Sequence, residues 1–125
     1  MSAIEIVKNA KAVAVIGVSQ NKEKYPYKIW RFLKDHGKTT YAVNPSLHEV
    51  DGEPVLPSLA ELPEGVDVAV AVVTPKVTET LPALCKERSI PVLWMQPGTY
   101  SDAVIEACRA NQVEPIYGHC VLAEW

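Results

Sequence analysis

The sequence predicts a three-layer α/β fold, a single domain in which a parallel sheet of about five strands is covered by helices on both faces. Three observations predict it. Short apolar runs rich in valine and isoleucine recur near positions 13, 39, 66, 91 and 113, and such runs suit strands buried on both faces. Segments with apolar residues at helical spacing separate most of them. The first run, Val13-Ala14-Val15-Ile16-Gly17-Val18-Ser19, ends in glycine and serine ahead of an amphipathic pattern, as a strand does when it delivers an anion-binding turn.

Residues 3–9 read as a short amphipathic helix with Ile4 and Val7 inward, a lid on the bottom of the sheet. The first strand follows. Gly17 lets the backbone approach a ligand, and a helix beyond it would aim unpaired amides at an anion. The full dinucleotide fingerprint needs Gly-x-Gly-x-x-Gly, but Gly17 is followed by Val18-Ser19-Gln20-Asn21-Lys22. The fingerprint is broken, so a nicotinamide cofactor does not follow from it.

After the polar loop through Lys24, Pro26 suits a first helical turn, Ile29, Trp30, Phe32 and Leu33 supply an inward face, and Gly37 suits the C-terminal cap. Lys22, Lys24 and Lys28 gather beside Ser19 at the expected turn. A lone surface lysine is ordinarily just solvated, but the cluster favours an anionic ligand. The second strand, 39–43, ends on Asn44-Pro45. NAD-binding folds place an acid there for the ribose; neutral Asn44 argues against NAD and leaves room for a ligand carrying extra phosphate.

Residues 46–56 read as a loop or a short turn-and-strand excursion, and Ser58 caps one helical turn through Leu62. The third strand spans 66–73, with Asp67 at its start in a structural role, and runs into Thr74-Pro75. A helix over 77–88 contains Pro82, which predicts a kink or a late start. A fourth strand, the turn Gln96-Pro97-Gly98, a helix capped by Ser101 and a fifth strand complete the alternation. This order is that of a doubly wound, Rossmann-like sheet with right-handed crossovers.

At 125 residues the chain has one core and no room for a separate substrate domain. Its charge of −3 and 22% charged residues advertise no nucleic-acid partner. No stretch approaches the roughly 20 apolar residues of a membrane helix, and Glu5 stands where a signal peptide would be positive. A cytoplasmic protein is expected, with a small-molecule nucleotide ligand, and the apolar helices leave room for a homo-oligomer or an enzyme partner. Cys85, Cys108 and Cys120 have neither CxxC spacing nor paired histidines, which argues against disulfides and metal.

In such a sheet the ligand crevice lies beyond the strands' carboxyl ends. The residues delivered there are Gly17, Val18 and Ser19, with Asn21 and Lys24 in the adjoining loop, then Asn44-Pro45, Val73-Thr74-Pro75, Gln96 with Gly98, and Gly118-His119-Cys120. These supply hydrogen bonds and backbone amides but no paired carboxylates and no acid cluster for magnesium. The site reads as one that holds a ligand. The candidate catalytic group is Cys120, yet His119 beside it points the other way in extended chain, so a buried structural thiol is the favoured reading. Cys85, Cys108, Trp30 and Trp94 read as core.

The motifs Ala14-Val15-Ile16-Gly17-Val18-Ser19, Val43-Asn44-Pro45, Ser58-Leu59, Val66-Asp67, Trp94-Met95-Gln96-Pro97-Gly98, and Cys120 with Glu124 occur in an order that resembles the small stand-alone CoA-binding-domain proteins. Those in turn are similar to the nucleotide-binding domain of the succinyl-CoA synthetase α-subunit. The resemblance implies CoA or acyl-CoA as cofactor, its diphosphate at Gly17, Val18 and Ser19, its nucleotide flanked by Asn44-Pro45 and packed on Val73-Thr74-Pro75. Thr74 departs from the synthetases, which have two prolines after the valine. Their phosphohistidine loop and ATP-grasp partner have no counterpart here, so ligase activity is not implied. Two alternatives stand beside this reading: a minimal NAD(P)-binding oxidoreductase, and a thiol-redox protein pairing Cys120 with CoA.

Overall fold

The computed structural model describes residues 2–125, so the expected domain over 1–125 is described apart from Met1. Six parallel strands form the body of the sheet: β1 (Ala12–Ile16), β2 (Thr39–Val43), β4 (Glu53–Leu56), β5 (Val68–Ala71), β6 (Val92–Met95) and β7 (Glu114–Ile116). A two-residue strand, β3 (Glu49–Val50), runs antiparallel to β4. The spatial order is β3-β4-β2-β1-β5-β6-β7.

Five strands were expected and seven are present, because the excursion at 46–56 is itself sheet. Pairing of Ala42 with Val55 and Val43 with Leu56 extends the sheet beyond β2. The local sequence hides this, since β3 is two residues long and Pro54, which lacks a donor, interrupts β4.

Alternation along the central strands builds a core on each face. Ala14 and Ile16 of β1, Ala69 and Ala71 of β5, and Leu93 and Met95 of β6 face one cluster. It is closed by helices α4 (Leu81–Glu87) and α5 (Asp102–Ala110) and by the 3-10 turn Leu59–Glu61. Val13, Val15, Val68, Val70, Val92 and Trp94 face the other way, against α1 (Ala3–Asn9), α2 (Tyr25–Asp35) and α6 (Val121–Glu124). Trp30, Ile29 and Leu33 make the inward stripe of α2, and burying each such side chain contributes roughly 1.5–3 kcal/mol.

The breakers act where the sequence places them. Pro82 lies in the first turn of α4, where its missing donor costs little, and the expected helix is divided into α3 (Pro75–Thr78) and α4. Ser58 and Ser101 accept from the amides of Ala60 and Val104. Gly37 follows α2 at φ +82°. Asp67 Oδ2 accepts from the amides of Lys11 at 2.9 Å and Ala12 at 3.0 Å, tying the start of β5 to that of β1. Helix α6 was not expected: four residues are too few to show a period.

Candidate functional site

The chain leaves β1 for β2 on one side and β5 for β6 on the other, so the order of connection reverses between β1 and β5. In open α/β sheets a ligand crevice lies at the carboxyl end of that junction. Gly17 stands there at φ +101°, and a Cβ on it would lie 2.6 Å from Val72 O and 2.7 Å from Val73 Cγ1. Its amide donates to Val43 O at 2.7 Å, while Val72 donates to Ile16 O at 3.1 Å. The turn is therefore pinned to both neighbouring strands, and glycine alone fits it.

The Val18 side chain is buried in the core, leaving only its backbone at the turn. As expected, a polar loop through Lys24 precedes helix α2, which starts at Tyr25. That loop is self-braced: Ser19 Oγ accepts from Asn21 N, Asn21 Oδ1 accepts from Glu23 N, and Lys24 N donates to Asn21 O. The amides of Ser19 and Gln20 find no acceptor among the described residues. Lys24 is the exposed N-cap of α2, whose first turn carries no acid.

Two of the clustered lysines already have partners. Lys22 lies 3.9 Å from Asp51, which also meets Arg31 and accepts from the Tyr27 hydroxyl at 2.6 Å. That hydrogen bond raises the Tyr27 pKa. Lys28 sits over the Tyr25 ring. Such exposed contacts are weak and leave the lysines free to rearrange.

Asn44 is a strap. Its Nδ2 donates to Val18 O at 2.9 Å and its Oδ1 accepts from Ser46 N at 2.8 Å, joining the loops after β1 and β2. Pro45 is exposed beside it. Across the junction, Val73 packs against Gly17, and Thr74 and Pro75 are the N-cap and first residue of α3.

Beyond β6 lies a cleft of about 360 Å³ walled by Tyr25, Val72, Pro97 and Ala123, with Gln96, Thr99 and Cys120 completing it. Gln96 is buried and its amide orientation is set by its partners. Trp94 Nε1 and Val121 N both donate to Oε1 at 2.9 Å, which leaves Nε2 to donate to Cys120 Sγ at 3.3 Å. Thr99 Oγ1 donates to Gln96 O at 2.6 Å. Gly98 makes the turn between them at φ +85°.

Of the residues expected at the crevice, Gln96 and Cys120 line this cleft and Gly98 turns beside it; Val73 and Asn44 meet the Gly17 turn and its loop, while His119 meets Glu124. Val72 joins the two regions, because it both lines the cleft and abuts Gly17. Tyr25, Val72, Thr99 and Ala123 were missed. Tyr25 carries a signal, as an aromatic opening the helix after the polar loop, whereas Ala123 depends on α6.

Cys120 does not pair with His119, whose Nδ1 meets Glu124 Oε2 at 2.7 Å. Cys85 and Cys108 are fully buried, and burial pushes their thiols up to about 12 and about 11. Neither is a nucleophile near neutral pH. Among the described residues no helix is long and apolar enough to cross a membrane.

Numbered among themselves, the six parallel strands run in the order 3-2-1-4-5-6, and with a glycine turn at the switch point this defines the class: a Rossmann-like α/β fold. The chain belongs to the CoA binding domain family, which it matches over residues 11–125. It is 33% identical over 102 residues to the ADP-forming acetate–CoA ligase I of Archaeoglobus fulgidus, covering 82% of this chain and 15% of the ligase. The chain thus spans a small part of the ligases it matches. It is also 25% identical over 120 residues to the uncharacterized protein YneT of Bacillus subtilis, covering 94% of this chain and 87% of YneT. A conserved hypothetical protein of Pyrococcus furiosus superposes with a TM-score of 0.86 at 34% identity, covering 92% of this chain and 99% of that one.

Proposed function

We propose that this domain binds coenzyme A or an acyl-CoA, holding its diphosphate at the turn Gly17-Val18-Ser19, and that it presents the ligand to an enzyme partner without carrying out the chemistry itself. The observation that carries the reading is Gly17 pressed on Val72 at the switch point, where a methyl group would collide with the Val72 carbonyl and only glycine can hold the turn. The free amides of Ser19 and Gln20 and the movable Lys22, Lys24 and Lys28 suit phosphate oxygens. Val73, Thr74 and Pro75 would pack on the nucleotide, with Asn44-Pro45 shaping its far wall. Membership of the CoA binding domain family and likeness to a ligase that acts on acetate and CoA support the same ligand. The cytoplasm is the proposed location, where three unpaired thiols stay reduced.

The test is mass spectrometry of the natively purified, then denatured, protein, followed by calorimetric titration with CoA, NAD⁺ and NADP⁺. Released or titrated CoA or acyl-CoA supports the reading. A pyridine nucleotide binding in its place overturns it in favour of the oxidoreductase, against which Asn44 argues because both ends of its amide are already engaged.

A second reading rests on Cys120 Sγ lying in the cleft beside Val72. The Cys120 thiolate would attack one sulfur of CoA disulfide, forming a Cys120–CoA disulfide as the S–S bond breaks and the other CoA leaves as thiolate. Incubation with CoA disulfide should then add the mass of one CoA less two hydrogens. No gain, or a gain that persists in Cys120→Ser, removes this reading.

A further inference from the structure

We propose that the cleft between Tyr25 and Ala123 selects an uncharged thiol or thioester end of the ligand and rejects acyl groups that carry a carboxylate. The inference rests on the CoA reading. It comes from the directions in which the cleft's polar groups point, none of which the Gly17 turn uses.

The walls at Tyr25, Val72, Pro97 and Ala123 present aromatic and aliphatic surface, and among the described residues no Lys, Arg or His lines the cleft; Lys28, over the Tyr25 ring, is a cation that the proposed phosphate turn takes up. The polar groups that do line it face inward. Gln96 Oε1 is taken by two donors, the Trp94 indole and the Val121 amide, and Thr99 Oγ1 is tied to Gln96 O. These bonds leave uncommitted Cys120 Sγ and the second hydrogen on Gln96 Nε2, for which the protein supplies no acceptor among the described residues, and the Tyr25 phenol adds only a neutral hydroxyl.

One neutral amide hydrogen serves a thioester carbonyl well. It cannot replace the hydration of a carboxylate, and a charge taken from water without a counter-ion is strongly disfavoured. Gln96 is thus a positioning group for a neutral acyl end, fixed by its two donors. Val72 borders both the cleft and the proposed phosphate turn, which sets the two side by side for one ligand.

The experiment is calorimetric titration of the full chain with CoA, acetyl-CoA, propionyl-CoA and succinyl-CoA, repeated on Ala123→Lys. Ala123 is exposed on α6, so lysine there adds a cation at the cleft without disturbing the core. Acetyl-CoA and propionyl-CoA should bind within a few-fold of CoA, and succinyl-CoA at least tenfold more weakly. Ala123→Lys should close that gap. Succinyl-CoA binding as tightly as acetyl-CoA overturns the inference while leaving the CoA reading intact, as does a gap that Ala123→Lys leaves unchanged. Failure of CoA itself to bind overturns the reading beneath it.

Discussion

Gly17 and Val72 are in contact just beyond the ends of β1 and β5, with no space between them for a side chain: a Cβ on Gly17 would sit 2.6 Å from the Val72 carbonyl oxygen. The contact sets the height of the turn above the sheet and so the position of every amide that follows it.

Gly17→Ala should therefore reduce stability by about 2 kcal/mol, from overpacking and a positive φ together. Urea unfolding measures this. CoA affinity should fall at least tenfold under conditions where the variant remains folded, and an unchanged affinity would show that the phosphates bind elsewhere.

Asn44→Ala removes both hydrogen bonds of the strap between the loops after β1 and β2. A loss of about 1–2 kcal/mol is expected, since both groups lie partly exposed and water replaces some of the bonding. CoA binding should weaken because the Val18 carbonyl is no longer held.

Asp67→Ala is the contrasting case. It leaves the amides of Lys11 and Ala12 without their acceptor at the opposite end of the sheet, for about 1–3 kcal/mol. Chemical denaturation should register the loss while titration with CoA gives an unaltered Kd.

Thiol reactivity should single out one residue. Cys85 and Cys108 keep their protons up to about 12 and about 11, so alkylation of the native chain at pH 8 should be confined to Cys120, with all three labelled in denaturant. CoA should slow labelling of Cys120. The sign for stability follows: the folded state holds these protons more tightly than the ordinary value of 9.0, so stability is complete below pH 9 and is lost as the pH rises toward the folded values. Unfolding midpoints measured from pH 8 to 10.5 should fall toward the alkaline end.

A ligand at 100 times its Kd stabilises by about 2.7 kcal/mol. CoA should raise the unfolding midpoint accordingly, and NAD⁺ at the same concentration should leave it near that of the free protein.

The amino-acid sequence by itself determined the layers and most of the punctuation. The valine-rich runs specify strands buried on both faces, Ser58, Ser101 and Gly37 mark helix ends, and Pro82 divides the helix after β5; these are local preferences that each residue carries wherever it is placed. Gly17 was legible as the turn for the same reason. Tertiary structure alone decided the rest. The strands β3 and β4 exist because β2 offers an open edge, not because Glu49–Val50 or Glu53–Leu56 have a strand pattern of their own. The cleft likewise depends on α6, which brings Cys120 and Ala123 against Gln96 and opposite Tyr25. Those contacts join residues far apart in the chain, and their free energy comes from burial and from satisfying a buried amide, terms that are set only when the distant segments meet.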